Sequence, residues 1–307
     1  MNIQKNILLS KYTTFKIGGP AEHFVIAKNI EEVQEAVKWA KENNHPIFML
    51  GGGSNLLISD QGIKGLVIKL DLQNIEFDNN KITVGAGVIL TFLLNQSLEH
   101  SLVGLEFATG IPGTVGGAIR GNAGTYDQAM NDVVTSIKYL DEDFVIQEMD
   151  TAGAEFAYRH SIFKTKPYII LEAQLELKTG DVQAVQQLIR ERLQHRQANH
   201  PTQPSAGCIF KNVSFEEVDI DDLAKRGVEI EKFSKSKQIP SGYLIEKVGL
   251  KGKQIGGAQV SEQHANYIIN TGNATAEDVI MLISLIKQQI RDKYGVQLIE
   301  EVQFING

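Results

Sequence analysis

The chain is poor in cysteine, since only Cys208 among its 307 residues carries a thiol. A single cysteine cannot form an intramolecular disulfide, which favours a reducing compartment such as the cytoplasm. No apolar run approaches the roughly 18 residues that a membrane span requires, and the first residues lack the apolar core of a signal peptide. We therefore expect a soluble, cytoplasmic protein with no membrane partner.

An excess of basic residues is also missing. The chain has 30 Lys and Arg against 37 Asp and Glu, a formal net charge of −7. Nucleic-acid-binding proteins usually carry a basic face, so we expect no nucleic-acid partner. The histidines do not show a His-Glu-x-x-His spacing, and no metal site is predicted. A length of 307 residues exceeds one ordinary hydrophobic core and predicts two or three domains.

Short β-rich runs alternate with helical patterns, which predicts an α+β fold. Cys208 lies in a run of small residues that is typical of a turn. Asn199 to Pro204, a proline-bracketed stretch, predicts a domain boundary near 198–204. Predicted strands are 23–26, 47–50, 65–70, 82–84, 133–140, 144–149, 168–177, 267–270 and 297–305, and predicted helices are 30–44, 90–100, 181–198, 241–248 and 275–294.

Glycine is concentrated in two segments, Gly51 to Asn55 and Gly110 to Gly124. Backbone N–H groups without a neighbouring Cβ can approach phosphate oxygens closely. Two dense segments, each after a short apolar run, favour an anion-binding cradle over two ordinary turns. Neither segment matches a P-loop or a Rossmann fingerprint, so a dinucleotide bound here would use another arrangement.

An ordered set of motifs resembles the UDP-N-acetylenolpyruvoylglucosamine reductase (MurB) family. It spans nearly the whole chain, as Thr14–Ala21, Leu50–Leu56, Gly110–Gly124, Tyr158–Ser161, Pro204–Asn212, Gly252–Ala258 and Glu301–Val302. The resemblance implies the two-subdomain FAD-binding fold of the MurB and PCMH-type flavoproteins, followed by a C-terminal α+β substrate-binding domain. It also implies non-covalent FAD, NADPH as co-substrate, a UDP-sugar substrate and a monomer. The short segment between Ser161 and Leu171 resembles the short-loop subtype.

The same resemblance assigns domains and cofactor contacts. The first FAD-binding subdomain is expected at 1–77, with 298–307 returning to it, the second at 78–199, and the substrate-binding domain at 200–297. The expected FAD contacts are Leu50, Gly51, Gly52, Gly53, Ser54, Asn55, Leu56, Gly110, Ile111, Pro112, Gly113, Gly116, Gly117, Ala118, Asn122 and Ala123.

The family's reaction passes a hydride from the nicotinamide to flavin N5 and then to C3 of the enolpyruvyl group, leaving an enolate that is protonated at C2. Arg159 and Glu301 match the family's enolate-stabilising residues, and Cys208 its proton donor. A thiol of pKa about 8.5 remains mostly protonated at pH 7 yet is a far better acid than an alcohol. Glu300 is the alternative to Glu301, which is preferred because it directly precedes Val302.

Asn212 and His264 correspond to substrate-binding positions in the resemblance, although His264 can equally be a surface histidine. The family's diphosphate-binding lysine has no clear counterpart here. Between Asn212 and Gly242 lies an insert that is longer than usual. Three of its lysines, at positions 232, 235 and 237, fit a solvated face better than a phosphate-binding role.

Two other functions are compatible with these features. One is a different FAD-dependent oxidoreductase of the same superfamily, which the Ser205–Cys208 motif and the terminal Glu301–Val302 pair argue against. The other is a non-enzymatic nucleotide-sugar sensor, which would not bind FAD.

Overall fold

The computed structural model describes residues 1–306, which form two compact units. Unit 1 comprises residues 1–7, 21–53 and 64–198, and unit 2 comprises residues 8–20, 54–63 and the chain from 199 onward. The change from unit 1 to unit 2 at 198/199 lies within the predicted boundary region. The sequence predicts three parts rather than two, and that finer division stays a prediction.

Helices begin and end at local sequence signals. The Asn29 side chain accepts a hydrogen bond from the Glu32 N–H (2.8 Å), and Thr275 and Asp278 form a reciprocal capping box. Among residues 1–306, no helix has the length and apolarity to cross a membrane. The helices are α1 Ile30–Glu42, α2 Leu90–Glu99, α3 Val115–Gly121, α4 Val182–Asn199, α5 Ile220–Lys225, α6 Ser241–Lys247 and α7 Ala276–Tyr294.

The strands are mostly short, and together with the helices they confirm the predicted α+β class. In chain order they are β1 Gln4–Leu8, β2 Pro20–Ala27, β3 Ile47–Leu50, β4 Leu56–Ile58, β5 Ile63–Leu70, β6 Ile75–Asp78, β7 Lys81–Gly85, β8 Leu102–Val103, β9 Gly124–Thr125, β10 Gln128–Ala129, β11 Val134–Leu140, β12 Ile146–Asp150, β13 Ile169–Glu176, β14 Lys178–Thr179, β15 Ser205–Cys208, β16 Val213–Ser214, β17 Gln238–Ile239, β18 Gln254–Ile255, β19 Ala258–Val260, β20 Tyr267–Asn270 and β21 Gln303–Ile305.

Unit 1 is built largely on two sheets. One has the order β1-β2-β5-β3, with β3 and β5 parallel. The other, β12-β11-β13-β7-β6, is antiparallel throughout. Apolar residues of both sheets and of α1, α2 and α3 share one buried cluster that includes Val33, Ile68, Leu90 and Ile119. This core holds the ends of β3 and α3, where the glycine segments lie.

Unit 2 has a four-stranded sheet of order β15-β20-β19-β18 and a core to which α7 contributes. The buried side of α7 repeats at helical spacing through Val279, Leu282, Ile283, Ile286 and Ile290. Separately, β21 pairs in parallel with β4. The C-terminal strand thus pairs with residues from the range that the sequence assigns to the first subdomain.

Three features of local structure differ from the sequence predictions. The last strand covers only Gln303–Ile305 instead of 297–305, so Glu301 precedes the strand rather than lying on it. Cys208 ends strand β15 instead of occupying a turn, because it pairs with Tyr267 across the sheet. The helix α3 is not predicted by its glycine-rich sequence, and it forms where Val115 and Ile119 are buried on one face.

Candidate active site

The two glycine segments come together within unit 1. A Cβ atom on Gly52 would lie 2.6 Å from the Cα of Gly113, and one on Gly51 would lie 2.8 Å from the Thr114 hydroxyl oxygen. Gly53 and Gly113 have φ angles of +64° and +123°, which favour glycine. Glycine is therefore required at position 52 because two backbones approach each other there.

Several N–H groups of the second glycine segment already donate within the chain. The Gly116 N–H donates to the Ala86 carbonyl (2.9 Å), and the Ala123 N–H donates to the Ala118 carbonyl (2.8 Å). The Ala118 N–H likewise donates to the Thr114 carbonyl (2.8 Å). These three N–H groups are therefore not available to phosphate oxygens, contrary to the predicted anion-binding cradle. Any FAD contact there must use other atoms.

Two polar side chains border the glycine segments in unit 1. The Lys69 ammonium group donates to the Gly51 carbonyl (3.1 Å), and burial lowers the pKa of Lys69. The Thr114 hydroxyl is buried and has no hydrogen-bond partner among residues 1–306. A buried hydroxyl normally has a partner, so Thr114 marks a place where a polar ligand atom would be stabilised.

Asn122 connects the second glycine segment to the loop that carries Arg159. It ends α3 in a left-handed conformation (φ +42°). Its amide donates to the Ala157 carbonyl (3.0 Å), and its side-chain oxygen accepts from the Asn131 N–H (3.1 Å). Because its side chain bonds two other backbone segments, Asn122 has a structural role whether or not it contacts FAD.

Arg159 is half-buried and has a backbone φ of +55°, a region that is costly for a residue with a side chain. Its guanidinium group donates to the Gly124 carbonyl (3.0 Å) and lies 5.2 Å from the centroid of the Tyr158 ring. The Lys164 ammonium group donates to the Arg159 carbonyl (2.7 Å). These contacts hold the guanidinium group beside the end of the second glycine segment.

Within unit 2, the backbone brings Cys208 and Glu301 to neighbouring positions. Cys208 is half-buried and follows Gly207, which has a φ of +78° and lies at a register irregularity of β15. The next residue, Ile209, accepts a hydrogen bond through its carbonyl from the Glu301 N–H (2.8 Å). The amide of Asn55 also donates to the Glu301 carbonyl (3.0 Å). Two of the three predicted catalytic residues therefore lie on adjacent backbone segments.

The neighbouring Glu300 is engaged in an ion pair. Glu300 forms an ion pair with Lys287 of α7 (2.7 Å), and both side chains are about one quarter exposed. This pairing gives Glu300 a structural role. The choice of Glu301 as the catalytic carboxylate stays a prediction.

Asn266 clamps the segment that follows Cys208. Its side-chain oxygen accepts from the Phe210 N–H (3.0 Å), and its amide donates to the Phe210 carbonyl (2.8 Å). Its own carbonyl accepts from the Ile209 N–H (2.8 Å). Asn266 is 3% exposed, so these bonds are shielded from water. No local sequence pattern marks Asn266, because its side-chain partner Phe210 lies 56 positions away.

His264 belongs to a ring cluster in unit 2. Its ring lies 5.1 Å from that of His200 and 4.9 Å from that of Tyr267, measured between centroids. Tyr267 is the cross-strand partner of Cys208, and its hydroxyl lies 2.9 Å from His200 Nδ1. The half-buried Asn212 follows Lys211, whose N–H donates to the Ile299 carbonyl (2.9 Å). Both predicted substrate-binding residues thus lie close in the fold to the Cys208 and Glu301 segments.

Comparison with known proteins decides the family. Residues 21–149 match the family described as FAD binding domain, and residues 199–305 match the C-terminal domain of UDP-N-acetylenolpyruvoylglucosamine reductase. The reductase of that name from Caldanaerobacter subterraneus subsp. tengcongensis is 39% identical over 303 residues, covering 97% of this chain and 91% of that protein. The chain belongs to the UDP-N-acetylenolpyruvoylglucosamine reductase family.

Other members of this reductase family agree. The Alkaliphilus oremlandii reductase is 38% identical over 304 residues, covering 97% of this chain and 91% of that protein. The crystal structure of the Thermus caldophilus reductase (MurB) superposes with a TM-score of 0.80 at 30% identity, covering 99% of both chains. The predicted fold, an FAD-binding domain followed by the C-terminal domain of this family, is confirmed.

The insert between Asn212 and Gly242 contains regular structure and paired charges. It includes α5 and the β16–β17 pair, and Lys232 forms an ion pair with Glu229. Hydrogen bonds from Lys232 and then Lys247 lower the pKa of Glu229 to about 2. Lys232 is therefore committed to a neighbouring carboxylate, in agreement with a solvated charged surface.

Proposed function

We propose that the chain reduces the enolpyruvyl ether of UDP-N-acetylenolpyruvoylglucosamine to UDP-N-acetylmuramate, a step of peptidoglycan precursor synthesis. The observation that carries this proposal is the 39% identity to a reductase of that name over 97% of the chain. Non-covalent FAD would be the cofactor and NADPH the co-substrate. The proposal includes a cytoplasmic location, which a chain with one thiol suits, and a monomeric state.

The residues present fit a bound FAD. The approach of Gly52 to Gly113 brings the two glycine segments together without intervening Cβ atoms, and the Thr114 hydroxyl is a buried polar group that a ligand would satisfy. The predicted contacts of residues 50–56, 110–113, 116–118, 122 and 123 belong to this proposal. When bound, FAD would accept a hydride from NADPH and pass it to C3 of the substrate.

Cys208 would donate the proton that completes the reduction. Addition of a hydride to C3 leaves the electron pair of the former double bond at C2, spread into the substrate carboxylate. The thiol then gives its proton to C2, and the resulting thiolate regains one from water. This role needs a protonated thiol, with no covalent bond between substrate and enzyme.

Arg159 and Glu301 would stabilise and position the enolate. A guanidinium group has five N–H donors in a planar fork that suits a carboxylate, and the Gly124 carbonyl engages one of them in this structure. The backbone of Glu301 is held through both its N–H and its carbonyl, which keeps this residue beside the Cys208 segment. Asn212 and His264 would contact the UDP-sugar.

The proposal is tested by following NADPH absorbance in the FAD-loaded protein. NADPH should be consumed in a ratio of one to one with the enolpyruvyl substrate, and UDP-N-acetylmuramate should form. If the protein consumes no NADPH with this substrate but oxidises an alcohol with oxygen, it is another oxidoreductase of the superfamily. If it stays colourless when FAD is supplied, the sensor alternative is correct.

A further inference from the structure

Unit 1 contains a cluster of two histidines and a glutamate that takes no part in the proposed reaction. Glu22, His23 and His45 each offer a ligand atom, and these atoms all lie within 4.8 Å of one another. Ligands bound to one cation at about 2.1 Å lie at most about 4.2 Å apart, so small side-chain adjustments would complete coordination. Glu22 and His23 belong to β2, and His45 lies in the loop between α1 and β3.

His23 is buried and has a ring nitrogen without a hydrogen-bond partner among residues 1–306. It is 8% exposed, and its Nδ1 atom is buried with no hydrogen-bond partner among residues 1–306. A buried polar atom without a partner costs free energy that a ligand can recover. An imidazole nitrogen with a lone pair is also the commonest protein ligand of first-row metals.

The other two ligands are held by the backbone around them. The Gly65 N–H donates to the Glu22 carboxylate (2.7 Å), a bond that, with smaller effects of nearby positive charge, lowers the pKa of Glu22. Gly65 has a φ of +89°, and a Cβ there would lie 2.7 Å from Pro46 Cδ, so its backbone is pressed against the residue that follows His45. The His45 N–H donates to the Ala40 carbonyl at the end of α1 (2.9 Å).

An aromatic wall shields the cluster. The Trp39 ring lies 5.1 Å from the His23 ring and 5.3 Å from the His45 ring, measured between centroids, and the two imidazoles are 4.6 Å apart. Apolar walls beside imidazole and carboxylate groups limit access of water and strengthen cation binding. Trp39 is the only tryptophan of the chain, so its fluorescence reports on this one location.

We propose that Glu22, His23 and His45 bind a first-row divalent cation of the Zn²⁺ class. Two imidazoles and one carboxylate form a donor set that suits Zn²⁺ and Ni²⁺, with water completing the coordination. The cation would link β2 to the α1–β3 loop and stabilise unit 1 rather than take part in the reduction. The positive charge of nearby Lys64 would weaken binding.

The test uses the FAD-loaded protein and the metal ions alone. Ni²⁺ should quench Trp39 fluorescence, excited selectively over tyrosine, with saturation at one equivalent, and Zn²⁺ should compete for the same site and raise the melting temperature. His45→Gln and Glu22→Gln, both at accessible positions, should weaken binding by more than the roughly 10- to 100-fold that loss of a supporting contact causes. His23→Gln should do the same, but its burial makes it the less reliable variant.

A matched control is His100→Gln, which removes a histidine outside the cluster, where it stacks on Phe77. This variant should bind Ni²⁺ like the wild type. Ni²⁺ bound by the half-buried Cys208 thiol instead of the cluster would not be affected by any of these substitutions. Quenching that survives unchanged in both His45→Gln and Glu22→Gln would overturn the proposal, as would a wild-type protein whose Trp39 fluorescence and melting temperature ignore both ions.

Discussion

The two units hold their predicted functional groups in opposite ways. In unit 1, Gly52 packs against Gly113 so closely that a single Cβ does not fit. In unit 2, the segment after Cys208 exchanges hydrogen bonds with the Asn266 side chain and accepts one from the Glu301 N–H. The first arrangement depends on the absence of a side chain at Gly52, and the second depends on the hydrogen-bonding atoms of the Asn266 side chain. We therefore expect unit 1 to be sensitive to added atoms and unit 2 to removed atoms.

The largest effect is expected from Cys208→Ala. Loss of the proton donor should slow flavin reoxidation by substrate by about 100- to 10,000-fold, while flavin reduction by NADPH stays nearly unchanged. Stopped-flow absorbance of the flavin band, with the two reactants added separately, measures both steps. Cys208→Ser is the control and should retain measurable reoxidation, since a hydroxyl can donate from the same place. Equal losses in both steps would make the thiol structural.

Asn266→Leu tests the clamp by replacing the side-chain amide with an apolar group of similar shape. It leaves the buried Phe210 N–H and carbonyl without their side-chain partner, at about 1–3 kcal/mol for each group. Urea unfolding should show this loss of stability, and reoxidation of the flavin should slow more than its reduction. Asn266→Asp keeps the acceptor for the Phe210 N–H and should recover part of the rate. An unfolding midpoint equal to that of the wild type in Asn266→Leu would refute the clamp.

Gly52→Ala tests the packing in unit 1 by adding one carbon atom. The new Cβ would lie 2.6 Å from Gly113 Cα, so the two glycine segments must separate. FAD affinity, measured by flavin fluorescence, should fall at least about tenfold, which corresponds to 1.4 kcal/mol. Gly121→Ala is the matched control, because a Cβ there has no atom within 4 Å. Similar FAD affinities for the two variants would contradict the packing argument.

The smallest effect concerns the backbone of Arg159. Arg159→Gly and Arg159→Ala both remove the guanidinium group and should both lose activity. Because the φ of +55° is strained for alanine but not for glycine, Arg159→Gly should be the more stable variant by about 1–2 kcal/mol. Thermal unfolding of the pair measures this difference. If Ala and Gly give equal stability, the loop has relaxed to another conformation.

Local signals predicted local structure well. The Asn29 cap and the Thr275–Asp278 capping box mark the starts of α1 and α7, because caps and helical periodicity act over a few residues. The strand predicted at 297–305 was too long, because residues 297–302 form isolated hydrogen bonds with the Cys208 segment rather than a continuous β-ladder.

The candidate site was less predictable from residue patterns. The roles of Arg159, Cys208 and Glu301 came from the family resemblance, and their contacts with ligands stay predictions. The Asn266 clamp and the approach of Gly52 to Gly113 join residues more than 50 positions apart, and no local pattern encodes such pairs. Lys69 had a weaker signal that could have been used, as a charged residue within an apolar strand beside a glycine segment.

The pairing of β21 with β4 has a consequence for the order in which unit 2 folds. Gln303 pairs with Leu56, so the partner of β4 is made only after nearly all of the intervening chain has left the ribosome. Until then β4 has an unpaired edge. Phe15, Ile17 and Leu57 also stay unburied, because the core that they share with α7 has not yet formed. Residues 199–306 expressed alone would lack these three side chains and the partner of β21. During synthesis, unit 2 therefore stays open to aggregation until the C-terminal strand is made.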